Sequence, residues 1–147
     1  MAVLTTDILI TGVRRNDVFE WLSDSAKHLS FLQAGFPEAR SDGSMLWLPF
    51  NGGFKTRELG YQFLRPDDSH GGRRVLVQTY GKRTSGTLNF SLRTMKPSSN
   101  TLVTLHMDYR TGTVLAPVLS ASIEEELLRC FNLVLEAIQL QIAQDLG

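Results

Sequence analysis

The sequence lacks most of the features that announce a chemistry. It has a single cysteine, Cys130, so it closes no internal disulfide and assembles no thiolate cluster. Its three histidines, His28, His70 and His106, stand far apart and in no H-x-x-x-H or H-E-x-x-H spacing, so no metal site is expected. Neither sign of charge is in excess: fifteen basic and fifteen acidic residues cancel. A neutral chain has no electrostatic footprint for nucleic acid or for an anionic membrane, and it has little repulsion against pairing with a second copy. No run approaches the roughly 18–20 apolar residues of a spanning helix, and the N-terminus lacks the basic and apolar regions of a secretory signal. The expectation is a cytoplasmic protein with no stable membrane insertion, no nucleic-acid partner and a possible homodimeric state.

Other absences narrow the chemistry further. The pairs Gly52-Gly53 and Gly71-Gly72 are followed by neither Gly-Lys-Ser/Thr nor a helix start, so they read as hairpin glycines rather than phosphate cradles. The serines cluster in turns (Ser41, Ser44, Ser69, Ser98, Ser99), and no Gly-x-Ser-x-Gly occurs, so a serine hydrolase is not supported. Nothing calls for a cofactor. Cys130 lies in an apolar helical stretch and reads as a small buried hydrophobe rather than a nucleophile.

What the sequence does have is pattern. Its 147 residues, 42% of them hydrophobic, suit one domain over residues 1–147 with a core of its own. From Val114 to Leu146 apolar residues recur at helical spacing, through Val118, Ile123, Leu127, Phe131, Leu135, Ile138 and Ile142, which predicts one long amphipathic helix of about 45 Å. Upstream, the period is mostly two. Leu4, Thr6, Ile8 and Ile10 share a strand face. Asn16 reads as the N-cap of a short helix with Val18, Phe19 and Leu22 on its apolar side. Ser25 reads as the cap of a second, with Leu29 and Leu32 one turn apart, ending at Gly35-Phe36-Pro37. About six antiparallel strands follow: Glu38–Arg40, Met45–Phe50 across a Ser41–Ser44 turn, Phe54–Arg65 ending before Pro66, Arg74–Tyr80, Thr84–Met95 and Thr101–Arg110. A long helix must lay its apolar stripe on something, and a curved sheet is the surface available. A straight rod and a bent sheet do not match everywhere, which predicts a cavity between them.

Three stretches within this order resemble a known family. They are Ile8-Leu9-Ile10 followed by Asn16-Asp17-Val18-Phe19-Glu20-Trp21-Leu22-Ser23-Asp24, then Asn100-Thr101-Leu102-Val103-Thr104-Leu105 with Tyr109, and the helix from Val118 to Leu146. Together they resemble the START/Bet v 1-like superfamily, also called SRPBCC or polyketide-cyclase-like. One departure is Arg14-Arg15-Asn16, where that family usually has a proline before its first helix. The resemblance implies an α+β helix-grip fold: a seven-stranded antiparallel sheet wrapped around the C-terminal helix, with two short helices after the first strand. It also implies a small, mainly hydrophobic ligand, of lipid, polyketide or isoprenoid type, in the cavity between them. A cyclase or dehydratase acting on such a ligand, and a protein-interaction module with no ligand, are the alternatives. No catalytic residue follows from position.

The candidate ligand-binding residues are Trp47, Arg57, Tyr61, Phe63, Tyr80, Phe90 and Tyr109 on the strands, with Phe131 and Leu135 on the helix as a lid. Aromatic rings with polar tips suit a mostly apolar pocket with a few hydrogen bonds. If Leu59, Tyr61 and Phe63 face inward, parity turns Arg57 inward too, where it either reaches water at the rim or anchors a ligand carboxylate or carbonyl. Trp47 has a second reading as an exposed anchor for a partner. An enzyme would need Tyr61, Tyr80, His106 or Asp108 inside the cavity with a perturbed pKa. The mouth is expected near Asn51-Gly52-Gly53 and Thr111-Gly112-Thr113.

Overall fold

A computed structural model describes residues 2–52, 55–69, 73–81, 85–97, 99–109 and 117–147, with the side chains of 2, 109 and 117–120 left aside. The elements are β1 (Ala2–Ile10), α1 (Arg15–Leu22), a 3-10 turn η1 (Ser25–Lys27), α2 (His28–Gly35), β2 (Arg40–Asp42), β3 (Met45–Gly52), β4 (Lys55–Asp67), β5 (Arg73–Tyr80), β6 (Ser85–Met95), β7 (Asn100–Tyr109) and α3 (Pro117–Leu146). The strands form one seven-stranded sheet in the order β1-β7-β6-β5-β4-β3-β2, antiparallel at every pairing. The expected α+β helix-grip architecture is the observed one.

Several boundaries differ from the sequence reading, each for a local reason. Helix α1 begins at Arg15 and has no side-chain cap. Asn16 instead accepts a hydrogen bond from Arg73 Nε at 3.3 Å, which ties the helix start to β5. The second cap is Asp24, which accepts from the Ala26 N–H, and not Ser25. Strand β2 runs into the anticipated turn: Asp42 pairs with Met45, leaving only Gly43-Ser44 as the loop, with Gly43 at φ +64°. Strand β4 continues through Pro66 because a bulge between Phe63 and Arg65 shifts the register and lets the proline follow it.

Alternation divides the sheet into two faces. Leu48, Leu59, Val77, Leu88 and Leu105 are among the buried side chains of the concave face, and Glu58, Gln62, Gln78, Asn89 and His106 lie on the convex one. Helix α3 covers the concave face with Ile123, Leu127, Phe131, Val134, Leu135, Ile138 and Ile142, spaced three, four and one apart and all at most 1% exposed. It is also pinned to the edge strand β1: Thr6 bonds to Asn132, and Gln139 Nε2 donates to Leu9 O at 2.8 Å. The second bond satisfies a carbonyl on an edge that would otherwise invite another strand. At the far end, Trp21 Nε1 donates to Asp145 at 2.7 Å and joins α1 to the last turn of α3.

Helix α2 crosses α3 at very close range, and Gly35 is the reason it can. A Cβ at Gly35 would lie 2.1 Å from Cys130 O and 2.8 Å from Val134 Cγ2. Cys130 O belongs to the backbone of a packed helix, so the clash cannot relax by a rotamer change. Gly35→Ala, ordinarily favourable in a helix by about 0.5–1 kcal/mol, is expected here to lower the unfolding free energy by about 1–3 kcal/mol. Urea denaturation of the two proteins checks this, and an unchanged or raised midpoint would refute the close crossing.

Candidate functional site

The packing between the sheet and α3 has two unlike ends. Near α1 and α2 it is filled by aromatic side chains, where Phe31 and Phe90 meet edge to face at 6.2 Å; Phe36 packs edge-on against Phe131 at 5.1 Å and, toward the Arg57 end, against Phe50, the cross-strand partner of Arg57, at 6.4 Å. The other end lies toward Gly52 and the N-terminal part of α3. The expected mouth at Gly53 and Thr111-Gly112-Thr113 falls outside the described residues, as do Phe54 and the side chain of Tyr109.

At the filled end sits a polar pair that sequence reasoning missed. His28 and Tyr61 have no exposed surface. His28 Nε2 is 2.8 Å from Leu22 O, and its Nδ1 is 2.6 Å from Tyr61 Oη. A carbonyl can only accept, so Nε2 carries the ring proton and Nδ1 accepts from the Tyr61 hydroxyl. The ring is neutral with both nitrogens satisfied. Phe31, Phe63 and Phe90 surround it at centroid distances of 4.7, 5.1 and 6.1 Å. Burial lowers the His28 pKa to about 4, against the opposing pull of the Leu22 carbonyl and Asp24, and burial raises that of Tyr61 well above 10. One signal could have found His28: His28, Phe31, Leu32 and Gly35 recur at i, i+3, i+4 and i+7 and form the buried face of α2, with Leu29 to one side.

The other candidates divide by face. Tyr61, Phe90, Phe131 and Leu135 are buried in the core, and Phe63 is half-buried against it. Trp47 and Tyr80 lie on the convex face. They flank Gly60, where an added Cβ would meet Trp47 Cζ3 at 3.2 Å and Tyr80 Cβ at 3.1 Å. Neither belongs to the wall that faces α3, because each is one residue out of phase with the buried positions of its strand. Of the residues weighed as an acid or base, Tyr80 donates to Gln62 at 3.1 Å on that same convex face, where parity also places His106 and Asp108. Tyr61 does face inward, with its proton engaged by His28. Trp21 is buried. Cys130 is 2% exposed, and burial, with Glu126 beside it, raises its thiol to about 11, far from thiolate reactivity at neutral pH.

Arg57 is on the concave face, paired with Phe50 across β3 and β4. Its Nε donates to Gly52 O at 2.7 Å. Gly52 makes room for this: a Cβ there would lie 2.8 Å from the Phe50 ring and 2.9 Å from Arg57 Cδ. The guanidinium is half-buried near the end of the sheet that faces the N-terminal part of α3, and among the described residues no carboxylate is within ion-pair distance.

This arrangement of sheet, short helices and gripped rod recurs in solved structures. The protein TTHA0849 from Thermus thermophilus superposes with a TM-score of 0.66 at 13% identity, covering 99% of this chain and 100% of that one. XoxI from Bacillus cereus gives 0.66 at 17% identity over 99% and 98%. A START superfamily protein from Mycobacterium smegmatis gives 0.61 at 14% identity over 97% of each chain. The chain shares the fold of this START superfamily protein. At these identities the likeness concerns the START-type fold alone. No protein-family model matches the sequence, and no curated protein matches it. Among the described residues of this START-type fold, no helix is long and apolar enough to cross a membrane, and no three His, Cys, Asp or Glu side chains group to hold a metal ion.

The His28 pair makes stability depend on pH with a definite sign. Its folded pKa, about 4, lies below the unfolded value of 6.5. Below pH 6.5 the unfolded chain therefore takes up a proton that the folded one refuses, and stability falls as pH drops until about 4, by about 3 kcal/mol in all. His28→Gln is expected to flatten that window while leaving the carboxylate-driven loss at lower pH. Urea midpoints from pH 7 to 4 test it, and an identical slope in the variant would dismiss His28 as its source.

Proposed function

We propose that this protein binds a small, mainly apolar ligand between the concave face of the sheet and the N-terminal part of α3, with Arg57 engaging a carboxylate or carbonyl of that ligand. The observation that carries this reading is Arg57 itself: a half-buried cation that the β3–β4 register turns onto the concave face beside Phe50 and Leu59, held there by Gly52 O. Its Nε is committed, which leaves the two terminal NH2 groups in a fork suited to a planar oxygen pair. A cation on an apolar wall is costly to keep unless something pairs with it, and an amphipathic ligand supplies both the apolar body and the pairing group. Burial of the body supplies affinity at about 25 cal/mol per Å², and Arg57 supplies orientation and preference. Leu59 extends the apolar wall beside it. The START-type fold supports the reading, since it places a concave apolar sheet opposite a long helix. Phe90, Phe131 and Leu135 form the floor on which the ligand body would end.

The test pairs two probes of equal length, dodecanoate and dodecanol. Wild-type protein is expected to prefer the carboxylate, and Arg57→Gln to weaken dodecanoate about tenfold or more while leaving dodecanol within about twofold, as loss of a charge-assisted hydrogen bond requires. Calorimetric titration measures both. No binding of either probe, or equal losses for both in the variant, would count against the reading. Native mass spectrometry of freshly purified protein, with extraction of whatever accompanies it, identifies the natural class.

A further inference from the structure

The concave face ends, six residues along β4 from Arg57 and so about 20 Å away, in a recess. It is a cleft of about 360 Å³ between η1, the start of α2 and the β2–β3 hairpin. Its floor is apolar, made by Leu29, Leu46 and Phe63, and its rim carries the hydroxyls of Ser25, Ser41 and Ser44. The Ser41 hydroxyl has only a 3.5 Å contact with Gly43 O, so it is available to a guest. His28 lies at the back and closes it from the interior. Both its nitrogens are engaged, by Leu22 O and Tyr61 Oη, so it presents ring carbon rather than a donor or a charge. Phe63 stands perpendicular to that ring at 5.1 Å, which fixes one wall.

The chemistry of this lining selects its occupant. Among the described residues, none of the lining side chains carries a charge at neutral pH. An anion would lose water with no cation to receive it, and a cation would find no carboxylate. An aromatic body matches the Leu29, Leu46 and Phe63 floor, and one hydroxyl matches the serine rim. The volume falls at the lower end of the range that small-molecule sites occupy.

We propose that this cleft is a binding site for a small neutral aromatic alcohol, separate from the site at Arg57. The separation is physical: the buried His28–Tyr61 pair and its ring of phenylalanines stand between the two. The inference does not depend on what the Arg57 end binds.

The probes are 2-phenylethanol and phenylacetate, which share a ring and differ in charge. Titration of each into 15N-labelled protein is followed by amide shifts. The expected result is saturable shifts for 2-phenylethanol at Ala26, Leu29, Gly43, Ser44 and Leu46. Phenylacetate should bind at least about tenfold more weakly, as an unpaired charge demands. Ala26→Phe and Ser44→Phe, both on the rim, should each fill the cleft and abolish those shifts without altering dodecanoate binding. Shifts confined to residues around Arg57 and Leu59, displacement of 2-phenylethanol by dodecanoate, equal affinity for phenylacetate, or unchanged affinity in both variants would each overturn the proposal. The first two of these outcomes would leave the Arg57 site standing, so the two readings fail separately.

Discussion

An antiparallel sheet with one apolar face cannot stand in water uncovered, and α3 is what covers this one. The rest of the structure follows from that contact. The stripe from Ile123 to Ile142 excludes water from the concave face, and its helical spacing allows a single straight rod to do so. The short helices close the end that the rod leaves open. Their own approach is set by Gly35, which lets α2 sit directly against the backbone of α3 at Cys130. The edge strand β1 is held by the same rod through Thr6 and Leu9. Remove the stripe and the sheet, the short helices and the edge all lose the surface they pack on.

The covering is not uniform, and the two candidate sites lie where it changes character. Around His28 the interior is filled by interlocking rings, and the one polar pair there satisfies itself completely. Such a pair fixes orientation rather than supplying reactivity, because both nitrogens and the phenolic proton are committed. Toward Gly52 and Arg57 the polar group is left with donors to spare. The difference between a structural polar group and a recognition group is therefore one of unspent hydrogen-bonding capacity. Burial alone does not distinguish them.

Much of this was legible in the chain. The strand alternation from Thr101 onward, the long helical period and the order of elements were enough for the architecture. The inward parity of Arg57 followed from Leu59 and Tyr61 alone. Trp47 is out of phase with Leu46, Leu48 and Phe50, and Tyr80 with Val75 and Val77, so parity already assigned both to the convex face. Aromatic character suits both to a pocket wall, and their spacing places neither on one. The helix spacing of His28 with Phe31 and Leu32 likewise marked a buried histidine.

Other features had no signal in one dimension. Periodicity reports which residues share a face, because the repeat of a helix or strand is local geometry, so the sequence by itself determined the elements, their apolar faces and the need for a rod against a sheet. Partners distant along the chain are another matter. That Tyr61 hydrogen-bonds a histidine 33 positions earlier, that Asn16 serves Arg73 rather than its own helix, and that Gly35 meets Cys130 O all depend on how elements are brought together in space. Those pairings, and the placing of Arg57 beside Phe50 rather than among the rings around His28, come from the way the elements pack. Packing is a relation between surfaces, and a single strand or helix carries only its own half of it.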